Sequence, residues 1–189
     1  MARDLRSDLL TAATALVETA GSADAVTLRG VAREAGVSAP AVYGHFADLT
    51  ALLDAVVDRG FDDLVATIRA ATADLPDPVD RLRAGCRAYV REGLAAPARY
   101  RAMFGPRRPA AGARAFDTLV AAVDACVRAG RSASRDPRAD AALVWTALHG
   151  TVTLRAGGPD LPWPDLDEQV DALVTRLALV SPPVSDGTA

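Results

Sequence analysis

Metal or nucleophilic chemistry in this chain would have to be built from two histidines, His45 and His149, and two cysteines, Cys86 and Cys126. Neither histidine stands in a metal-binding spacing. Each cysteine sits inside an apolar helical pattern and reads as a small buried hydrophobe rather than a ligand or redox partner. No glycine-rich phosphate loop and no nucleophile elbow appears. The 24 acidic residues ride mostly on helix faces. No catalytic centre, metal or cofactor is therefore expected. The polar side chains that remain of interest, Thr27, Ser38, Tyr43 and His45, gather in one stretch, TLRGVAREAGVSAPAVYGHF, from Thr27 to Phe46.

Two short helices must position them. Thr27 can cap the first, and Val26 and Val31 around it have hydrophobic-staple spacing. Ser38 can cap the second, with Val37 and Val42 in the same relation. Pro40 falls in the first turn, where its missing N–H costs little. Gly36 between them can take the left-handed conformation that lets the chain turn sharply. Two such helices joined by a glycine turn form a helix-turn-helix, which places the start of its second helix in the DNA major groove.

Helical periodicity continues on both sides, with no convincing alternating strand. A first helix is expected over Asp4–Ala20, ended by Gly21, then a polar loop over Ser22–Ala25. A long fourth helix follows a cap at Asp48, with Leu49, Leu52, Leu53, Val56, Val57, Phe61, Leu64 and Ile68 on its apolar face. Further helices open at Asp77-Pro78, at Pro97 and at Asp136-Pro137. One more carries Phe116 to Val127, and the last runs over Asp165–Val180. Gly105–Gly112 and Gly157–Pro164 read as loops, and SPPVSDGTA as a disordered tail. The fold class is all-α, with about nine helices. The expected domains are 1–50, a helix-turn-helix domain with its motif at 27–46; 51–181, a helical effector-binding and dimerisation domain; and 182–189, the tail.

Half of the residues are hydrophobic but only 5% are aromatic, so the core must rest on Ala, Leu and Val. All 21 basic residues are Arg, which fits a GC-rich coding bias and says nothing of nucleic acid. The net charge of −3 does not suggest a general polyanion binder, yet leaves room for a local DNA face. MARDLRSDLL lacks an apolar signal core, and no apolar run approaches membrane-spanning length, so a cytoplasmic protein with no membrane partner is expected.

The motif resembles the TetR family of bacterial regulators. The matching positions are Thr27, Val31-Ala32, Ala35-Gly36-Val37-Ser38, Val42-Tyr43 and His45-Phe46, with Leu52-Leu53 on the following helix. Close resemblance covers about residues 5–60. Within it, Leu28, Val31, Ala32, Val42 and Phe46 should form a small core. Thr27, Ser38, Tyr43 and His45 can hydrogen-bond phosphate oxygens, which sets register without reading sequence. Ala39, Pro40, Ala41 and Gly44 are small enough to bring the helix close to base edges, with thymine methyls open to Ala39 and Ala41. Arg29 and Arg33 can reach backbone or bases, or remain solvated. Arg3 and Arg6 can form a short basic arm. His45 and Tyr43 each also admit a purely structural role. The reading helix carries no Lys or Arg, and Leu49 stands where family members often carry Lys. Both imply modest electrostatic affinity.

For the remainder, the resemblance implies a ligand-responsive repressor that binds a palindromic operator in double-stranded DNA as a homodimer. Leu143, Leu148, Val174, Leu177 and Leu179 on the last two helices are candidate interface residues, or equally intrachain core. Trp145, His149 and Gly150 form a W-x-x-x-H-G pattern similar to one TetR subgroup, and Trp145 and His149 either line an effector pocket or simply pack. Tyr89, Tyr100, Met103, Phe104 and Phe116 complete the pocket candidates, which would suit a small, mainly apolar effector. The alternative is a helical protein-interaction module, or a regulator that has lost DNA binding.

Overall fold

Aspartate starts most of the helices. In the computed structural model, which describes residues 4–105 and 110–181, Asp4, Asp48, Asp77, Asp136 and Asp165 each turn a carboxylate onto N–H groups one turn further on. Those N–H groups have no partner inside their own helix, so an acceptor there sets the start. The described residues form nine α-helices: α1 Leu5–Ala20, α2 Leu28–Glu34, α3 Ala39–Tyr43, α4 Leu49–Thr72, α5 Pro78–Ala95, α6 Pro97–Met103, α7 Ala110–Arg128, α8 Pro137–Gly157 and α9 Leu166–Leu177. The chain is all-helical, as its periodicity implied.

Four local expectations are corrected. Ala23–Ala25 is a short 3-10 turn, not plain loop, because the Ser22 hydroxyl accepts from Asp24 N. Ser38 occupies the position before α3 but makes no side-chain cap bond. Within Gly105–Gly112, residues 106–109 lie outside the described residues, but Ala110–Gly112 already belong to α7. A Cβ at Gly112 would meet the Phe61 ring at 3.2 Å, tighter than ordinary contact, so glycine eases the close approach of this helical turn. Finally, α9 stops at Leu177 rather than Val180. Leu179 takes a positive φ of 50°, and Val180 pairs with Ser132 in an isolated antiparallel bridge. The tail 182–189 and Arg3 lie outside the described residues.

The chain divides into two compact units, Met1–Leu64 with Ala95–Ala113, and Val65–Leu94 with Arg114–Ala189. The expected functional boundary at residue 50 precedes this division, which falls inside α4. In the first unit, α1 packs against α2 and α6, and α2 against α3. Leu9, Ala13 and Val17 of α1 meet Val31 and Ala32 of α2, Val42 of α3, Phe46 and the start of α4 in one buried cluster. Leu28, expected in this core, packs on its edge. The α6 N-terminus lacks a cap of its own, and the Glu18 carboxylate of α1 supplies one by accepting from Arg99 N at 3.0 Å. Arg101 in return donates to the carbonyl of Gly21, where α1 ends.

In the second unit, α5 and α9 are joined by a ladder of arginines. Arg83, Arg87 and Arg91, one helical turn apart, meet Thr175, Asp171 and Asp167 in reverse order. Arg91 holds both Asp167 oxygens, at 2.7 and 2.6 Å, while Arg83 is buried and also reaches the carbonyl of Ser181 at 2.8 Å. Leu82, Cys86 and Val90 of α5 are buried, as are Val144, Leu148 and Val152 of α8.

Candidate nucleic-acid interface

Gly36 makes the turn of the helix-turn-helix. Its φ is 68°, a left-handed conformation that costs glycine little. Gly36 N donates to Arg33 O and Val37 N to Ala32 O, at 3.2 and 2.9 Å. This pair of bonds closes the end of α2 and delivers the chain directly into α3. At the other end of α2, the Thr27 hydroxyl accepts from Gly30 N at 3.1 Å.

The core takes one face of this unit and leaves the other to solvent. Val31, Ala32, Val42 and Phe46 are buried, whereas Thr27, Arg29, Arg33, Ser38, Pro40, Tyr43, Gly44 and His45 are exposed. Tyr43 is 59% exposed, a large aromatic that packing does not account for. Ala41 is half-buried. Ala39 is half-buried too, and packs against the core. Arg6 departs from the expected arm: it lies in the first turn of α1, with its guanidinium 5.1 Å above the Phe46 ring. Sequence reading missed that contact, which joins residues far apart in the chain and has no local signal.

The seven pocket candidates fall into two groups. Tyr100, Met103 and Phe104 lie in the first unit, where Phe104 stacks edge-on with Phe61 at 5.4 Å and Met103 lies against Gly60. Tyr89, Phe116, Trp145 and His149 lie in the second and do cluster. The Trp145 indole donates to the Tyr89 hydroxyl at 3.2 Å, and its ring stands 5.8 Å from Phe116 and 6.3 Å from His149. Trp145 is 37% exposed, while Tyr89 is buried. Burial lowers the His149 imidazole below its ordinary value, so it is neutral at pH 7. Burial likewise pushes the Cys86 thiol up to about 12, with Asp171 and Cys126 adding to it, leaving no thiolate for chemistry.

Of the candidate interface residues, Leu148 and Val174 are buried inside the single chain. They belong to its core and cannot also face a partner, so that expectation is corrected. Leu143 and Leu179 are exposed and Leu177 is half-buried. Among the described residues, no helix is long and apolar enough to cross a membrane.

Two family models match the chain. Residues 9–56 match "Bacterial regulatory proteins, tetR family" and residues 82–177 match "Tetracyclin repressor-like, C-terminal domain". No curated protein matches it in sequence. Among solved structures, a protein of unknown function from Rhodococcus sp. RHA1 is 33% identical, with a TM-score of 0.82 over 94% of this chain and 95% of that one. A TetR-family transcriptional regulator from Pectobacterium atrosepticum is 26% identical, with a TM-score of 0.70 over 92% and 90% of the two chains. A TetR-family regulator from Marinobacter aquaeolei VT8 shares the fold at 20% identity, with a TM-score of 0.69 over 92% and 93%. An exposed helix-turn-helix face on an all-helical chain, matched by models of both halves, makes this protein a member of the TetR family of DNA-binding transcription regulators, which are not enzymes.

Proposed function

We propose that the protein is a ligand-responsive repressor that binds a two-fold operator as a homodimer and releases it when a small, mainly apolar effector binds. The observation that carries this reading is the exposed face of the helix-turn-helix, above all Tyr43 standing out of the end of α3. Thr27, Ser38, Tyr43 and His45 present hydrogen-bonding groups suited to phosphate oxygens, and Arg29 adds a cation from α2. Pro40 and Ala41 are small enough for close approach to base edges. A single motif reads a half-site, so a two-fold operator calls for two subunits. Leu143 and Leu154, exposed on α8, are apolar side chains suited to pairing with a second copy. Operator binding places the protein in the cytoplasm with the DNA.

We place the effector site at the cluster of Tyr89, Phe116, Trp145 and His149, whose aromatic rings and neutral imidazole suit an apolar molecule with one polar group. Trp145 and His149 then serve the role that the W-x-x-x-H-G pattern suggests. The long helix α4, which runs through the boundary between the two units, carries the response to the reading motif. For occupancy to fall, the effector must prefer the conformation in which the reading helices no longer match the operator. A preference of about 1–3 kcal/mol changes occupancy several-fold or more.

The basic-poor reading helix favours one rival, a regulator that has lost DNA binding and acts as a helical interaction module. Tyr43→Ala separates the two. On a duplex selected from random DNA, the variant should bind at least tenfold more weakly, with melting temperature and oligomeric state unchanged, since losing a hydrogen bond to a charged group costs about 1.5–3 kcal/mol. Undiminished binding, or no duplex selected by the parent protein, would sink the proposal.

A further inference from the structure

The reading helix α3 lacks any cation, so the positive charge that a phosphate backbone requires must come from elsewhere. The described arginines of the first unit fall into two sets. Arg59, Arg99 and Arg101 are tied to acceptors within the protein, on Ser7 and Thr11, on Asp63, and on Gly21 respectively. Among the described residues, Arg6, Arg29 and Arg33 form no ion pair or hydrogen bond through their guanidinium groups, and all three are exposed. Among the described residues of this unit, the uncommitted charge therefore lies on α2 and at the start of α1.

Arg6 differs from the other two because it is held. Asp4 caps α1, which fixes the first turn on which Arg6 stands. Its guanidinium lies 5.1 Å above the ring of Phe46, the residue that directly follows exposed His45. Stacking on a ring face uses the cation's flat side and leaves its in-plane N–H donors available. Phe46 is itself buried in the core, so it is a rigid platform. A cation in the first turn gains nothing from the helix dipole, so helix stability does not explain the placement. Asp4, Asp58 and Asp62 line the same groove as Arg6.

We propose that Arg6 is a positioned phosphate contact of the DNA face, held by Phe46 beside His45, and that it supplies charge the reading helix lacks. This rests on the operator-binding reading above. It differs from a mobile basic arm in that the cation is pre-placed, so its contribution is electrostatic without an ordering cost.

The test measures operator affinity of the full-length protein against salt concentration, for the parent, Arg6→Gln and Arg6→Lys, beside thermal melts. Each lost phosphate contact flattens the slope of log K against log salt by about 0.9 per bound subunit. Arg6→Gln should show that flattening with an unchanged melting temperature, and Arg6→Lys, which keeps the charge, should restore most of the slope. If Arg6→Gln binds more weakly with the parent's slope, or melts early, Arg6 acts only by packing on Phe46 and the inference is overturned. A parent that binds its selected operator while Arg6→Gln matches it in slope and affinity overturns this inference alone. A parent that binds no duplex overturns the operator reading itself.

Discussion

His149 stands beside Trp145 on α8, and burial lowers its pKa. Unfolded, the imidazole takes up a proton near its ordinary value of 6.5; folded, it does so only at lower pH. The unfolded state therefore binds more protons in the window just below 6.5, and stability falls as pH drops through it. The parent should lose melting temperature between about pH 7 and pH 5.5 more steeply than His149→Gln. Identical pH profiles would mean that the imidazole is better solvated than its packing implies.

Short helices depend on their ends. The seven residues of α6 cannot sustain a helix alone, and Ala96 gives them no cap. Glu18 does so from α1, and Arg101 closes the reverse contact onto Gly21. Glu18→Ala should destabilise the protein by about 1 kcal/mol, the usual worth of an N-cap, read as a shift in denaturant midpoint. Loss of α6 order should appear as faster amide exchange over residues 97–103 with α2 and α3 unaffected; uniform exchange across the first unit would instead mark Glu18 as a general core contact. The same dependence on ends explains which elements were legible in the sequence. Thr27, Asp48, Asp77, Asp136 and Asp165 announce helix starts because capping acts within four residues. The stop of α9 was not legible, because the pairing of residues 131–134 with 178–181 is a contact between distant segments.

At the scale of the molecule, Leu143 and Leu148 make a pair of opposite prospects on one helix. Leu143 is 54% exposed, on the face shared at helical spacing with Ala147, Gly150 and exposed Leu154. Leu148 is buried in the core. If α8 pairs with a second copy, Leu143→Glu should convert the protein to a monomer in sedimentation at micromolar concentration, with little change in the melting of the monomer fold. Leu148→Ala should instead lower stability by about 2–5 kcal/mol through the cavity it leaves, with dimerisation retained if folding survives. A Leu143→Glu protein that sediments as the parent does would move the interface off this face.

Residues 27–46 determined the reading motif by themselves, down to the turn at Gly36 and the buried faces of Val31 and Val42. There the information is local: caps, staples and helical period act over a few residues, and a left-handed turn needs its glycine in place. Only the tertiary structure decided that Leu148 and Val174 are core while Leu143 is surface, that the pocket candidates divide between two units, and that Arg6 rests on Phe46. Helical period says that a residue faces something, but whether that is another helix of the same chain, a partner or solvent depends on which distant elements pack there.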